Sequence, residues 1–360
     1  MKRRAIAIAA VTVALIVGIV LAAGSYFGLF FTSPSVSSGE PVAVPSAAVT
    51  TIASNLEVPW AAAFLPDGTA LVTERNSGRI LSVKADGTVT EIQRLSEVDP
   101  GGEGGLHGIA VSPNYAEDQW VYVYYTAPDD NRIARLHLGE APQPIFTGIP
   151  KAGNHNGGRI KFGPDGLLYV GTGDASNRSL SQDLNSVGGK ILRLTPEGQP
   201  APGNPFPGSP VYSYGHRNVQ GLAWDAGGQL YAAEFGQNRY DELNRIEAGG
   251  NYGWPDVEGT GDNPGFINPV ATWTTSDASP SGIAILDGRV YIACLRGTKV
   301  YRIGTDGQGA QALFDGEFGR IRDVVVAPDN SLWILTSNRD GRGSPADTDD
   351  RIIRLDPARI

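Results

Sequence analysis

The chain has 360 residues, 41% of them apolar and 19% charged, with a formal net charge of −9. That excess of acid argues against nucleic acid as a partner, and the single cysteine, Cys294, excludes an internal disulfide. The 47 glycines and 25 prolines are spread along the chain, which suits an all-β protein with many turns.

Met1-Lys2-Arg3-Arg4 is basic, and an apolar run from Ala5 to Phe31 follows. Residues 1–31 therefore read as a signal peptide or a retained membrane anchor, with the basic flank left in the cytoplasm. The rest of the chain is then extracytoplasmic, either secreted or held on the outer face of the cytoplasmic membrane. Residues 32–48 are rich in Ser, Pro, Val and Ala and read as a flexible tether. Residues 49–360 form the folded domain.

That domain repeats itself. A turn leading into a short apolar strand occurs at Pro66-Asp67-Gly68, Pro113-Asn114, Pro164-Asp165-Gly166, Asp225-Ala226-Gly227-Gly228, Asp287-Gly288 and Pro328-Asp329-Asn330. Such sequences are hairpin-turn chemistry. Each copy is followed by a second alternating strand, as at Arg79-Ile80-Leu81-Ser82-Val83 and Lys190-Ile191-Leu192-Arg193-Leu194. Six copies at this spacing predict a six-bladed β-propeller with four-stranded blades. A pair of β-sandwiches leaves the sixfold count unexplained. A ring must close without an exposed edge, so Ala48–Asn55 is expected to add the missing strand to the last blade.

The chemistry falls in Gly-rich loops ahead of successive copies, which places those loops at one mouth of the channel. Glu103 lies in Gly101-Gly102-Glu103-Gly104-Gly105, and His155 in Gly153-Asn154-His155-Asn156-Gly157-Gly158. Histidine is the side chain suited to proton transfer near neutrality, and Asp174, across the next hairpin, is placed to orient it. Arg217, Arg296, Arg320 and Arg322 are the cations of this set, and several guanidiniums at one mouth suggest a ligand with several carboxylates or phosphates. His107, His137 and His216 read as structural, and Cys294 as a buried strand residue. The stretch Glu234–Glu242, together with Gly249-Gly250-Asn251-Tyr252-Gly253-Trp254-Pro255, is rich in oxygen donors of the kind a hard cation takes.

Taken together, the His155 loop with Gly173-Asp174, the run Gly215-His216-Arg217-Asn218-Val219-Gln220-Gly221, the Gly249–Pro255 segment and Arg320-Ile321-Arg322-Asp323-Val324 resemble the quinoprotein glucose dehydrogenases, also called aldose sugar or glucose/sorbosone dehydrogenases. The resemblance runs from about Val58 to Leu355. It implies a pyrroloquinoline quinone (PQQ) cofactor, bound calcium, and oxidation of aldose sugars at the anomeric carbon to lactones. It implies His155 as general base and Asp174 as its orienting partner. Arg217 and Asn218 would contact the quinone oxygens, and Arg320 and Arg322 the cofactor carboxylates. Backbone carbonyls near Gly236 and Gln237 would hold a calcium, and Glu242 and Tyr252 a further one. Arg296 stands where the family commonly has lysine. Glu103 stands where it typically has glutamine, and a carboxylate there repels a polyanionic quinone unless a cation offsets it. Phe235 stands where some members have a polar contact.

The other readings are a non-catalytic carbohydrate- or protein-binding propeller and a metal-dependent lactonase. The latter needs several carboxylate and Asn ligands around one metal, a set the sequence does not show. The sugar and the electron acceptor are not written in the sequence.

Overall fold

In the computed structural model, which describes residues 39–360, each turn read from the sequence closes a hairpin between the first two strands of one sheet. Blade 1 runs Pro59–Phe64, Ala70–Glu74, Arg79–Val83 and Val89–Arg94 from the axis outward. Blade 2 is Leu106–Val111, Val121–Thr126, Asn131–Leu136 and Gln143–Ile149; blade 3 is Arg159–Phe162, Leu168–Gly171, Lys190–Leu194 and Val211–Tyr214. Blade 4 is Val219–Trp224, Leu230–Glu234, Tyr240–Arg245 and Ala271–Thr274, and blade 5 is Pro280–Leu286, Arg289–Cys294, Lys299–Gly304 and Gln311–Leu313. Blade 6 takes Ile321–Val326, Leu332–Thr336 and Ile352–Leu355 from the end of the domain and Val49–Ala53 from its start. This is the closure expected from the sequence, and it leaves no blade with a missing strand.

Each blade is twisted and buries both faces against its neighbours, so the core divides into six clusters, one per blade junction. Tyr122, Ile133, Leu168 and Leu192 pack blade 2 on blade 3, for example, and Trp273, Ile292 and Tyr301 pack blade 4 on blade 5. The innermost strands touch in cyclic order, with Ile321–Val326 meeting Pro59–Phe64. Cys294 is fully buried in this packing.

Two features depart from the sequence reading or lie beyond it. Residues 40–42, within the stretch expected to be a tether, form a strand that pairs in parallel with Gln311–Leu313 and gives blade 5 a fifth strand. The reason is an open edge: the outermost strand of blade 5 offers unpaired backbone groups, and the passing chain satisfies them. The apolar segment 1–31 lies outside the described residues.

The second feature is a series of β-bulges. Five of the six innermost strands slip register near their first residues, at Pro59/Ala61, Leu106/Ile109, Val219/Gly221, Pro280/Ile283 and Ile321/Asp323. A bulge re-aims the extra side chain and bends the strand. Trp60, Gln220 and Arg322 are such residues, and all three line the cavity at the channel mouth. Just beneath them Arg159 and Asp323, both buried, pair at 3.0 Å, and Arg159 Nε donates to Gln220 O at 2.7 Å. The Arg159 guanidinium lies 4.4 Å from the Trp60 ring centroid. The strands approach so closely that a Cβ on Gly282 would sit 1.7 Å from Asp323 Oδ1. Removing one partner of a buried pair strands the other charge, so Asp323→Ala is expected to cost about 3–5 kcal/mol, read as a lower urea midpoint. An unchanged midpoint would mean the pair contributes nothing to the ring.

Candidate active site

The His155 loop enters the site through backbone contacts. His155 takes a left-handed φ of +57°, and Gly157 N donates to Asn218 Oδ1 at 2.9 Å. Gly173 passes directly behind the loop, where a Cβ would fall 1.8 Å from His155 O. Asp174 N donates to Arg217 O at 2.8 Å, which fastens blade 3 to the start of blade 4. The result is a fixed imidazole between two charged partners.

His155 Nδ1 lies 2.7 Å from Asp174 Oδ1, and His155 Nε2 lies 2.9 Å from an Arg217 terminal nitrogen. A guanidinium can only donate, so Nε2 presents its lone pair and Nδ1–H donates to the carboxylate. Asp174 also accepts from Trp254 Nε1 at 2.9 Å and from Ser176 N at 2.8 Å. Burial pushes this carboxyl up, but the His155, Trp254 and Ser176 hydrogen bonds outweigh it and hold Asp174 below its ordinary pKa. The second guanidinium arm of Arg217 donates to Phe235 O at 3.1 Å. His155 thus has the geometry of a base whose proton-accepting nitrogen is oriented in advance.

Beside this group opens a cavity of about 440 Å³. Its walls bring together Glu103, Arg296, Arg320 and Arg322 from the sequence reading, and Phe235. Arg320 donates through Nε and a terminal nitrogen to Asp340 Oδ2, at 3.0 and 2.8 Å. Arg322 is 5% exposed and donates to Gln220 Oε1 at 2.7 Å. Burial, with Arg75 close by, pulls the Arg322 pKa down to about 9. Arg296 stands exposed at the rim. Asn218 is fully buried, and its side chain holds the His155 loop from below.

Sequence reasoning missed Arg75, Asp340 and Arg342, which also line the cavity. Arg75 was within reach: it follows the second strand of blade 1, as Asp174 and Arg296 follow those of blades 3 and 5. Asp340 and Arg342 sit in the same connection of blade 6, between Leu332–Thr336 and Ile352–Leu355, where it is long and no motif singles them out.

The oxygen-rich segments lie on the blade 4 side. Residues 237–240 direct four backbone N–H groups at one oxygen of Glu258, at 2.7–3.2 Å, and Gly236 N donates to Asp241 Oδ1 at 2.9 Å. Glu242 and Glu234 are buried together, bridged by Asn244 Nδ2 at 3.0 Å to each. Burial, and then the Glu234 charge, push the Glu242 carboxyl up to about 8. Tyr252 stacks on His216, and its hydroxyl donates to Arg245 O and accepts from Glu247 N. His216, fully buried between Ser213 and Glu234, is a structural histidine. Among the described residues no three His, Cys, Asp or Glu side chains converge as a metal cluster.

Fold and site define a six-bladed propeller with a cationic cavity and an oriented histidine at one mouth. The sequence pattern of the glucose/sorbosone dehydrogenases matches residues 56–353, and the chain belongs to that family. It is 53% identical to an aldose sugar dehydrogenase from Streptomyces coelicolor whose structure was solved in the PQQ-bound form; the two superpose with a TM-score of 0.83 over 86% of this chain and 97% of that one. A structure from Thermus thermophilus described as an oxidoreductase (glucose dehydrogenase) is 45% identical, with a TM-score of 0.80 over 85% and 99% of the two chains. The aldose sugar dehydrogenase of Escherichia coli K12 is 29% identical, the match covering 87% of this chain and 96% of that protein.

Proposed function

We propose that this protein oxidises aldose sugars at the anomeric carbon to lactones, with PQQ as oxidant and calcium as a structural and catalytic ion. The observation that carries the reading is the His155–Asp174 pair set against a cavity lined by five guanidiniums. The cavity's chemistry fits the cofactor. Arg322 Nε on its wall is a buried donor with no partner in the protein, as are Arg217 Nε and Asn218 Nδ2 next to the wall residue Phe235 and the His155 loop, and a quinone tricarboxylate offers acceptor oxygens to such groups. Arg320, Arg322 and Arg296 would hold its carboxylates, and Arg217 and Asn218 its quinone oxygens. The cofactor's part is to accept the hydride of the anomeric C–H.

The chain's own part is proton handling and positioning. His155 Nε2 takes the proton of the anomeric hydroxyl as the carbonyl of the lactone forms. To do so it must exchange its contact with Arg217 for one with the sugar hydroxyl, and Phe235 O offers the guanidinium a second acceptor. Asp174 stabilises the imidazolium that results. Its contacts to Trp254 and to the Ser176 backbone keep it from turning away.

Two places would offer calcium hard donors. Carbonyls near Gly236 and Gln237 stand beside Arg217 and would hold an ion acting as a Lewis acid. The buried Glu234 and Glu242 pair has Asn244 Oδ1, an unpartnered buried acceptor, next to it. Calcium added to metal-free protein is therefore expected to raise stability by about 2.7 kcal/mol for each site at a hundredfold excess over its Kd. Glu242→Gln should reduce that gain, followed as the calcium-dependent shift in melting temperature; an equal gain in the variant would remove Glu242 from the ligand set.

The apolar segment 1–31 and its basic start support an extracytoplasmic location. The decisive experiment for function is reconstitution of apoprotein with PQQ and calcium, followed by dye reduction with aldoses. Absence of turnover, with ligand binding retained, would point instead to a non-catalytic binding propeller.

A further inference from the structure

Glu103 makes two contacts at once, one with the His155 loop and one with blade 6. One carboxylate oxygen accepts from His155 N at 3.1 Å, and the other pairs with an Arg342 terminal nitrogen at 2.8 Å. Glu103 N also donates to Gly153 O at 2.8 Å, so the blade 2 loop and the His155 loop are joined twice. Arg342 comes from the loop of blade 6, two blades away around the ring, and its side chain is 63% exposed. It is set there by Asp340, whose Oδ1 accepts from Arg342 N at 2.9 Å.

The charge of the lining is informative. Arg75, Arg296, Arg320, Arg322 and Arg342 face only Glu103 and Asp340, which leaves a positive excess of three. A tricarboxylate matches that excess. The Glu103–Arg342 pair adds nothing to it, because the two charges cancel, but either partner alone changes it.

We propose that Glu103 and Arg342 form a latch with two separable jobs: Glu103 positions the His155 backbone, and Arg342 cancels the Glu103 charge so that the cavity stays matched to its anionic cofactor. The second job rests on the PQQ reading; the first does not. Glu103 is a positioning residue, since it acts on the reaction through the His155 backbone.

Glutamine at position 103 separates the jobs, because an amide oxygen still accepts from His155 N while carrying no charge. The first measurement uses cofactor-free protein: hydrogen exchange of the His155 amide, followed by NMR. Glu103→Ala should speed exchange about tenfold, equivalent to about 1.4 kcal/mol, while Glu103→Gln and Arg342→Gln stay close to wild type. The second is a titration of the same apoproteins with PQQ at low ionic strength, read by tryptophan quenching. Arg342→Gln should weaken binding about three- to tenfold, less at high salt because the side chain is exposed. The Glu103→Gln/Arg342→Gln double variant should return to the wild-type value, since its positive excess is again three. In turnover, Glu103→Ala should lower kcat with little change in KM, and Glu103→Gln should restore it.

Unchanged exchange in Glu103→Ala would overturn the positioning role. A double variant no tighter than Arg342→Gln would overturn the charge role. Wild-type protein that binds no PQQ would remove the cofactor reading and the charge role with it, and the exchange result would still judge the positioning role by itself.

Discussion

Replacing His155 with alanine is expected to lower kcat for aldose oxidation by about 10³-fold, within the range that loss of a general base produces, while the apoprotein still binds PQQ. The reason is the asymmetry of its contacts. Nδ1 is committed to Asp174 and only Nε2 faces a group that can be displaced, so one nitrogen carries the whole proton transfer. Asp174→Asn should give a loss of about 10²-fold or more, because an amide orients the ring but does not stabilise its charge. Stopped-flow reduction of bound cofactor separates this from weaker binding. Reduction at the wild-type rate in His155→Ala would assign the proton to another group. A stability signature accompanies it. Since Asp174 is held below its ordinary pKa, the stability it contributes is present at neutral pH and is lost as pH falls below about 4. Asp174→Asn should therefore flatten the acid limb of the stability curve.

Arg322→Met is expected to act in opposite directions on binding and on stability. Arg322 is buried beside Arg75 and Arg320, with an unpartnered Nε, so the protein holds it at a cost. Removing a buried, like-charged group and filling its volume with an apolar chain leaves the apoprotein at least as stable. The same change removes a desolvated guanidinium from the anion site, where one such contact is worth about 2–5 kcal/mol. PQQ affinity should fall by about 10²-fold or more. Calorimetric titration with a parallel melting curve tests both halves. A variant that loses stability but keeps its affinity would make Arg322 a structural residue.

What the sequence reveals follows from how local each signal is. The blade count is legible because a Pro-Asp-Gly turn encodes its own geometry in three or four residues, and third strands such as Lys190–Leu194 begin and end where alternation says they should. His155 and Asp174 are legible because glycines crowd around both. Arg320 and Arg322 are legible as members of the set of cations at one mouth, yet a bulge between Ile321 and Asp323 also helps to aim Arg322 inward, and no residue there announces it. Glu40–Val42 is hidden for a different reason: its strand exists only because a distant edge accepts it. Arg342 is hidden because its importance lies in its partner. Glu103 reads alone as a misplaced negative charge, and only the fold brings the guanidinium that balances it.

The way blade 6 is assembled has a consequence for synthesis. Val49–Ala53 leaves the ribosome well before Ile352–Leu355, against which it pairs. Five blades can form in order as the chain emerges, while this early strand waits with its hydrogen-bonding groups unclaimed. The ring therefore shuts only once Ile352–Leu355 has emerged. A long-range pairing of this kind is slow to form, and the interval before it is when a nascent chain most needs protection from neighbours with the same unpaired edge.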